Sequence, residues 1–229
     1  MLTVNDIQVS YGQSVVIPKL SFQAGKAEIV GIVGRNGMGK TTLFRSLIGM
    51  LPLRSGAITL DGADISADES YSRVGKGLAI VPQGRMIFPY LTVYENLISG
   101  ARGPIESSEI SEIYSLFPVL RDMKDRKGGN LSGGQQQQLA IGRALMTRPK
   151  VLLLDEPTEG IQPSIIKDIA RALREIRDMR QLTIVVSEQV LSFMLDVCDR
   201  LFVIEKGALV REDLRSAVNA EEIRKMLSV

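Results

Sequence analysis

Residues 28–49 read EIVGIVGRNGMGKTTLFRSLIG, and the order of features within them decides the fold. Glu28 to Val33 is a short apolar run of the kind a buried parallel strand requires. A glycine-rich turn follows, and Lys40 to about Gly49 reads as a helix. Residues 34–41, GRNGMGKT, fit the spacing G-x-x-x-x-G-K-[ST]. Gly34, Gly37 and Gly39 let the backbone fold tightly. The N–H groups of Gly34, Arg35, Asn36, Gly37, Met38 and Gly39 can then turn inward as an anion nest at a helix N-terminus. In such a nest the Lys40 ammonium meets the β- and γ-phosphates of ATP or GTP. The Thr41 hydroxyl is offered to Mg²⁺, and Thr42 lies near the α-phosphate.

Strand and helix patterns alternate on either side. Leu2, Val4, Ile7 and Val9 are apolar among polar neighbours, and Ser14 to Leu20 forms a second short run after a Tyr11-Gly12 turn. Ala57 to Leu60 reads as a strand ended by Asp61-Gly62, and Leu78 to Val81 as a buried strand ended by Pro82. From Thr92 to about Thr147 the apolar spacing becomes helical. This predicts an inserted helical subdomain at about 89–147, its body running roughly from Pro89 to Asn130, between core segments 1–88 and 148–229. Strands at Val151 to Leu154, Leu182 to Val186 and Leu201 to Ile204 resume the alternation. A helix follows Pro163, with Ile169, Ala172, Leu173 and Ile176 on one face. Another is expected from Gln189 to Val197, a turn at Lys206-Gly207 precedes Ala208 to Val210, and a short helix closes at Ala220 to Leu227. The pattern predicts an α/β core with a parallel sheet and an added N-terminal antiparallel β-part.

Composition narrows the function classes. The 229 residues, 45% hydrophobic and 24% charged, are ample for a buried core. The net charge is +2 without a basic tail or block, which gives no case for nucleic acid. The chain has no histidine, so a histidine base, ligand or triad is excluded. Cys198, the single cysteine, cannot form an intrachain disulfide, and a reducing cytosol suits it. No apolar run approaches the ~18 residues of a membrane span, and Met1 to Gln8 alternates like a strand rather than a signal peptide. Work at a membrane would then require docking onto another protein.

Val151-Leu152-Leu153-Leu154-Asp155-Glu156 is an apolar strand ending in two carboxylates. At the C-terminal edge of a parallel sheet Asp155 would meet a Mg²⁺ shell, and Glu156 could polarise the attacking water as general base. LSGGQ at 131–135 places Ser132, Gly133 and Gly134 in a second small nest opening a helix, with Gln135 beside it.

With these motifs the chain resembles, over essentially its whole length, the ATP-binding subunits of ABC transporters. The resemblance implies a P-loop ATPase core with an antiparallel β-subdomain and an α-helical insertion, and ATP and Mg²⁺ as cofactors. It further implies that the 132–135 nest engages the γ-phosphate of ATP held by a second ATPase subunit in a head-to-tail dimer. It puts Tyr11 where an aromatic ring stacks on adenine, although a turn tyrosine reads the same way. It puts Gln83 at a loop that contacts Mg²⁺ and water and hinges the insertion. Gly84 to Asn96 would border a groove for permease docking. The implied partners are two transmembrane permease subunits, a second ABC ATPase subunit and, indirectly, a substrate-binding protein. The implied place is the cytoplasmic face of the inner membrane.

Two positions depart from the common family pattern. Gln189, in Ser187-Glu188-Gln189, stands where many members carry a switch histidine; a glutamine can donate to a γ-phosphate but cannot shuttle a proton. Gln162, in Glu159-Gly160-Ile161-Gln162-Pro163, stands where an aspartate is common. The glutamine at 189 is similar to the ATPases of branched-chain amino acid and urea uptake systems. Val81 to Arg85 and Asp155 to Pro163 look most like the urea type, which implies a urea importer, with a branched-chain amino acid importer as the alternative. DNA-repair or translation ATPases with this cassette usually carry long coiled-coil insertions or a second cassette, for which this chain has no room. A non-hydrolysing regulatory module is disfavoured by the presence of Glu156.

Overall fold

A computed structural model describes residues 1–228. β1 (Leu2–Tyr11) and β2 (Ser14–Ala24) form an antiparallel hairpin. Leu2, Val4, Ile7 and Val9 are all buried, although Val4 and Ile7 are three residues apart. A register shift between them, with Asp6 at φ 47°, absorbs the extra residue and returns Ile7 to the inner face. β2 runs past Leu20 because its alternation continues inward through Phe22 and Ala24.

β3 (Ile29–Val33) leads into the glycine-rich loop and α1 (Lys40–Leu47). β4 (Leu53–Leu60), longer than its expected Ala57 to Leu60, joins β1, and the two-residue β5 (Ala63–Asp64) completes a four-stranded sheet of order β2-β1-β4-β5. α2 (Ser70–Lys76), not expected from periodicity, precedes β6 (Leu78–Val81). The helical insertion then contributes α3 (Val93–Ile98), α4 (Ser107–Leu116), α5 (Pro118–Asp122) and α6 (Gly133–Leu145). β7 (Val151–Asp155), α7 (Pro163–Arg180), β8 (Thr183–Glu188), α8 (Leu191–Val197), β9 (Arg200–Glu205), β10 (Ala208–Leu214) and α9 (Ala220–Ser228) follow.

The second sheet has six strands in the order β10-β9-β3-β8-β7-β6. All its pairs are parallel except β10 with β9. The sheet is covered on both faces, which is why its strands read as unbroken apolar runs. Val30 and Ile32 of β3, Leu153 of β7 and Val185 of β8 pack with α1 and the four-stranded sheet. Their neighbours Ile29, Val33, Leu152, Leu154, Ile184 and Val186 pack with α6, α7, α8 and the inserted helices. The insertion therefore shares one apolar cluster with the sheet.

The C-terminal ends of β3, β7 and β8 meet at the glycine-rich loop, the edge where parallel α/β sheets bind ligands. Gly34 N–H donates to the carbonyl of Glu188 at 3.3 Å, carrying the β3–β8 pairing one step beyond the strands. From the other side, the β9–β10 turn reaches under the loop. Lys206 (φ 48°) and Gly207 (φ 78°) form a turn with both central residues left-handed, the geometry that suits a twisted hairpin. Gly207 N–H donates to Met38 O at 3.0 Å, and a Cβ on Gly207 would lie 1.8 Å from Val16 O. Only a bare glycine lets the turn, β2 and the loop meet there. Gly207→Ala is expected to destabilise the fold by about 1–3 kcal/mol in urea unfolding. An unchanged midpoint would contradict this close packing.

Candidate functional site

The loop from Gly34 to Gly39 wraps the N-terminus of α1. Gly37 (φ 81°) and Gly39 (φ 102°) adopt backbone angles that L side chains resist. Among the described residues no side chain caps α1, and its first turn carries no acidic residue. The positive end of the helix thus faces the cleft without an internal counter-charge. Lys40 Nζ donates to Gly34 O at 2.7 Å and Arg35 O at 3.0 Å, so the loop curls around its own lysine. The same ammonium lies 3.0 Å from Glu156 Oε1, with the two side chains only 3% and 8% exposed. An ion pair so far from water persists only when hydrogen bonds complete it. The two loop carbonyls do so for Lys40.

Asp155 and Glu156, adjacent in sequence, diverge at the end of β7. Asp155 stays in the sheet direction, and the Ser187 hydroxyl on the neighbouring strand donates to its Oδ1 at 2.6 Å. Burial pushes the Asp155 carboxyl above the usual carboxylate range, against the hydrogen bonds from Ser187 and Thr41, which favour its charged form. Glu156 turns out of the strand at φ 50°, its N–H held by Ser187 O at 3.0 Å. Gln83 Nε2, from the loop after β6, donates to Glu156 Oε2 at 3.2 Å and to Glu159 Oε2 at 3.1 Å.

These groups line a cleft of about 340 Å³. Asn36, Gly37, Gly39, Lys40, Thr41 and Thr42 contribute to its lining together with Val16, Gln83 and Glu156. The site can receive a polyphosphate: N–H groups and a buried ammonium on one side, a carboxylate placed to orient water on the other. Among the described residues no three His, Cys, Asp or Glu side chains gather into a metal cage. The Asp155 carboxylate with the Thr41 hydroxyl is nonetheless a hard-oxygen pair of the kind Mg²⁺ takes alongside substrate phosphates.

The remaining expected residues fall in three places. Gln189 Nε2 donates to Asn36 Oδ1 at 2.7 Å, which brings it to the phosphate loop. α8 begins at Leu191 rather than Gln189, because the N–H groups of Gln189 and Val190 go to the Glu188 carboxylate, at 2.7 and 3.1 Å, instead of into a helix. Tyr11 is 44% exposed and is not among the residues lining the cleft, whereas Val16 of β2 is. Ser132, Gly133, Gly134 and Gln135 also lie outside the cleft lining. They open α6 as a capping box: Ser132 N–H donates to Gln135 Oε1 at 2.9 Å and Gln135 N–H to Ser132 Oγ at 3.4 Å. Gln162 stands at the N-terminus of α7 with Pro163 in the first turn.

Motif reading missed Ser187, Glu188 and Thr158. Each is a buried polar residue, the first two at the end of β8 and Thr158 in the turn beyond β7, and the signal for the first two was a polar pair ending an apolar strand.

Asp155 gives a test with a definite sign. A carboxyl whose folded pKa lies above its unfolded value loses stability as pH rises, because the folded state gives up its proton last. Asp155→Asn removes that dependence while keeping an acceptor for Ser187. Its unfolding free energy should match wild type below pH 3.8, the ordinary value, and exceed it at pH 7. Equal stabilities at pH 7 would contradict the assigned burial.

Comparison with known proteins agrees with this geometry. A family model described as ABC transporter matches residues 17–159. The high-affinity branched-chain amino acid transport ATP-binding protein BraG of Pseudomonas aeruginosa is 37% identical over 221 residues, covering 95% of this chain and 94% of that one. The lipopolysaccharide export system ATP-binding protein LptB of Haemophilus influenzae is 33% identical, with 99% and 96% covered. A crystal structure of a nucleotide-free ATP-binding cassette from an ABC transporter superposes with a TM-score of 0.84 at 28% identity, covering 100% of this chain and 95% of that one. The chain belongs to the ABC transporter family, as one of its ATP-binding and ATP-hydrolysing subunits.

Proposed function

We propose that this chain energises a substrate importer of the branched-chain amino acid and urea group, with urea as the transported substrate. The observation that carries the hydrolytic part is the contact of Lys40 with Glu156 at 3.0 Å in the lining of one cleft. One group suits the phosphate charge and the other suits the proton of the attacking water. The loop amides, Lys40 and Thr42 bind and neutralise the triphosphate. Asp155, Thr41 and Gln83 would hold a Mg²⁺ ion, which supplies further charge neutralisation when bound.

A water aligned with the β–γ bridge attacks the γ-phosphorus. Its new P–O bond forms as the bridge P–O bond breaks, the water's proton passes to Glu156, and the electron pair leaves on the β-phosphate. Gln83 orients Glu156 from the side. Gln189 reaches the same loop through Asn36 and can donate to the γ-phosphate.

Ser132 to Gln135 open α6 outside the cleft of their own chain. They are available to complete the cleft of a second ATPase subunit, closing a head-to-tail dimer on two nucleotides. The segment at about 89–147 serves as the lever of that closure. Among the described residues no helix is long and apolar enough to cross a membrane. In this reading two permease subunits carry the substrate path. A binding protein delivers substrate to them, and this chain docks at their cytoplasmic face. The urea assignment is supported by Gln83 within Val81 to Arg85 and by the run Asp155 to Pro163. A branched-chain amino acid importer is the second reading, favoured by the Pseudomonas aeruginosa relative.

Uptake of labelled urea and labelled leucine, in cells lacking the gene and complemented with wild type or Lys40→Ala, separates the two. Loss of urea uptake that wild type restores and Lys40→Ala does not is the expected result. The same pattern for leucine transfers the substrate and keeps the ATPase. Both uptakes unchanged would contradict the importer reading.

A further inference from the structure

Glu188 ends β8 with only 3% of its surface exposed. A carboxylate so placed is costly unless its oxygens are fully used. Among the described residues no cation pairs with it; its oxygens take four neutral donors from two separate loops. Oε1 accepts the Thr158 N–H at 2.9 Å and the Thr158 hydroxyl. Oε2 accepts the N–H groups of Gln189 at 2.7 Å and Val190 at 3.1 Å. Its own carbonyl accepts from Gly34, the first residue of the phosphate loop. One residue thus ties together the phosphate loop, the turn that follows Glu156 and the turn that carries Gln189.

We propose that Glu188 is a positioning residue for hydrolysis. It fixes the 156–159 turn and the Gln189 side chain relative to the nucleotide without touching nucleotide itself. The proposal rests on the reading that the Lys40–Glu156 cleft hydrolyses ATP. Two features separate this role from mere core packing. All of the Glu188 side-chain partners belong to the turns that follow β7 and β8, and none belongs to the apolar layers beneath. The neighbouring Gln189 side chain, aimed by the two amides that Glu188 holds, lands on Asn36 of the phosphate loop. Glutamine at 188 would keep the shape but turn an amide NH₂ toward donors, so one of the two turns must let go.

The test uses the purified chain: steady-state ATP hydrolysis, ATP affinity by fluorescence titration, and thermal unfolding. The variants are Glu188→Gln, Thr158→Val, Gln189→Ala and the double variant Glu188→Gln/Gln189→Ala. Glu188→Gln should lower kcat by about 10-fold or more, since a misplacement of about 1 Å far from the chemistry can cost about a hundredfold. Its ATP dissociation constant should stay within about threefold of wild type, since the loop amides and Lys40 are untouched. Thr158→Val, which removes one hydroxyl and keeps the N–H, should lower kcat less, in the same direction. It serves alone if Glu188→Gln does not fold. The double variant should lose less than the product of the single losses, as coupled residues do. Wild-type kcat in Glu188→Gln or Thr158→Val would overturn the proposal. So would strictly multiplicative losses, or a kcat loss matched by an equal loss of affinity. Turnover persisting in Lys40→Ala would instead overturn the cleft assignment on which the proposal rests.

Discussion

The site is organised around one buried positive charge. Lys40 sits at the head of α1, almost out of water, and its ammonium is wrapped by two carbonyls of its own loop and faced by Glu156. Burying an ammonium without partners costs several kcal/mol or more, so the loop must hold its curled shape to keep those carbonyls in place. That demand explains the surrounding structure. Gly37 and Gly39 take left-handed angles, Gly34 is tied to β8, and the β9–β10 turn braces the loop through Met38. A phosphate group entering the cleft offers Lys40 a stronger partner than Glu156. On the proposed mechanism this frees Glu156 to act on water.

Much of this was legible in the chain because it rests on local constraints. The strand–loop–helix order at 28–49, the apolar strand ending in Asp155 and Glu156, and the Lys206-Gly207 turn are each fixed by neighbours in sequence. The buried strands read as unbroken apolar runs because both faces of the sheet are covered. What resisted reading depends on distant partners. α2 has no apolar stripe. It is pinned by Arg73, whose guanidinium donates to Ser46 O and Leu47 O at the end of α1 and to Ser66 O and Asp68 O. The true start of α8 depends on a carboxylate capturing two N–H groups.

The site was legible in the same uneven way. Lys40, Thr41, Gln83 and Glu156 line one cleft, Asp155 accepts from Thr41 behind it, and Asn36 finds Gln189 from 153 residues away. Ser187 and Glu188 were hidden, since an acidic strand end ordinarily reads as a solvated one. Here that end lies between two others, and Ser187 and Glu188 use their polar atoms on β7 and on the turn beyond it. Ser132 to Gln135 illustrate a different limit. Their capping box is fully explained within one chain; any role toward nucleotide needs a second copy of the fold. Tyr11 is exposed and lies outside the cleft lining, where β2 contributes Val16 instead.

On the proposed mechanism Glu156 alternates between Lys40 and water. The most direct test compares ATP affinity with single-turnover hydrolysis in Glu156→Gln and wild type. The variant is expected to bind ATP at least as tightly, because the carboxylate competing for Lys40 is gone, and to hydrolyse it about a hundredfold more slowly or worse. Wild-type hydrolysis in the variant, or a loss of ATP binding, would contradict that mechanism.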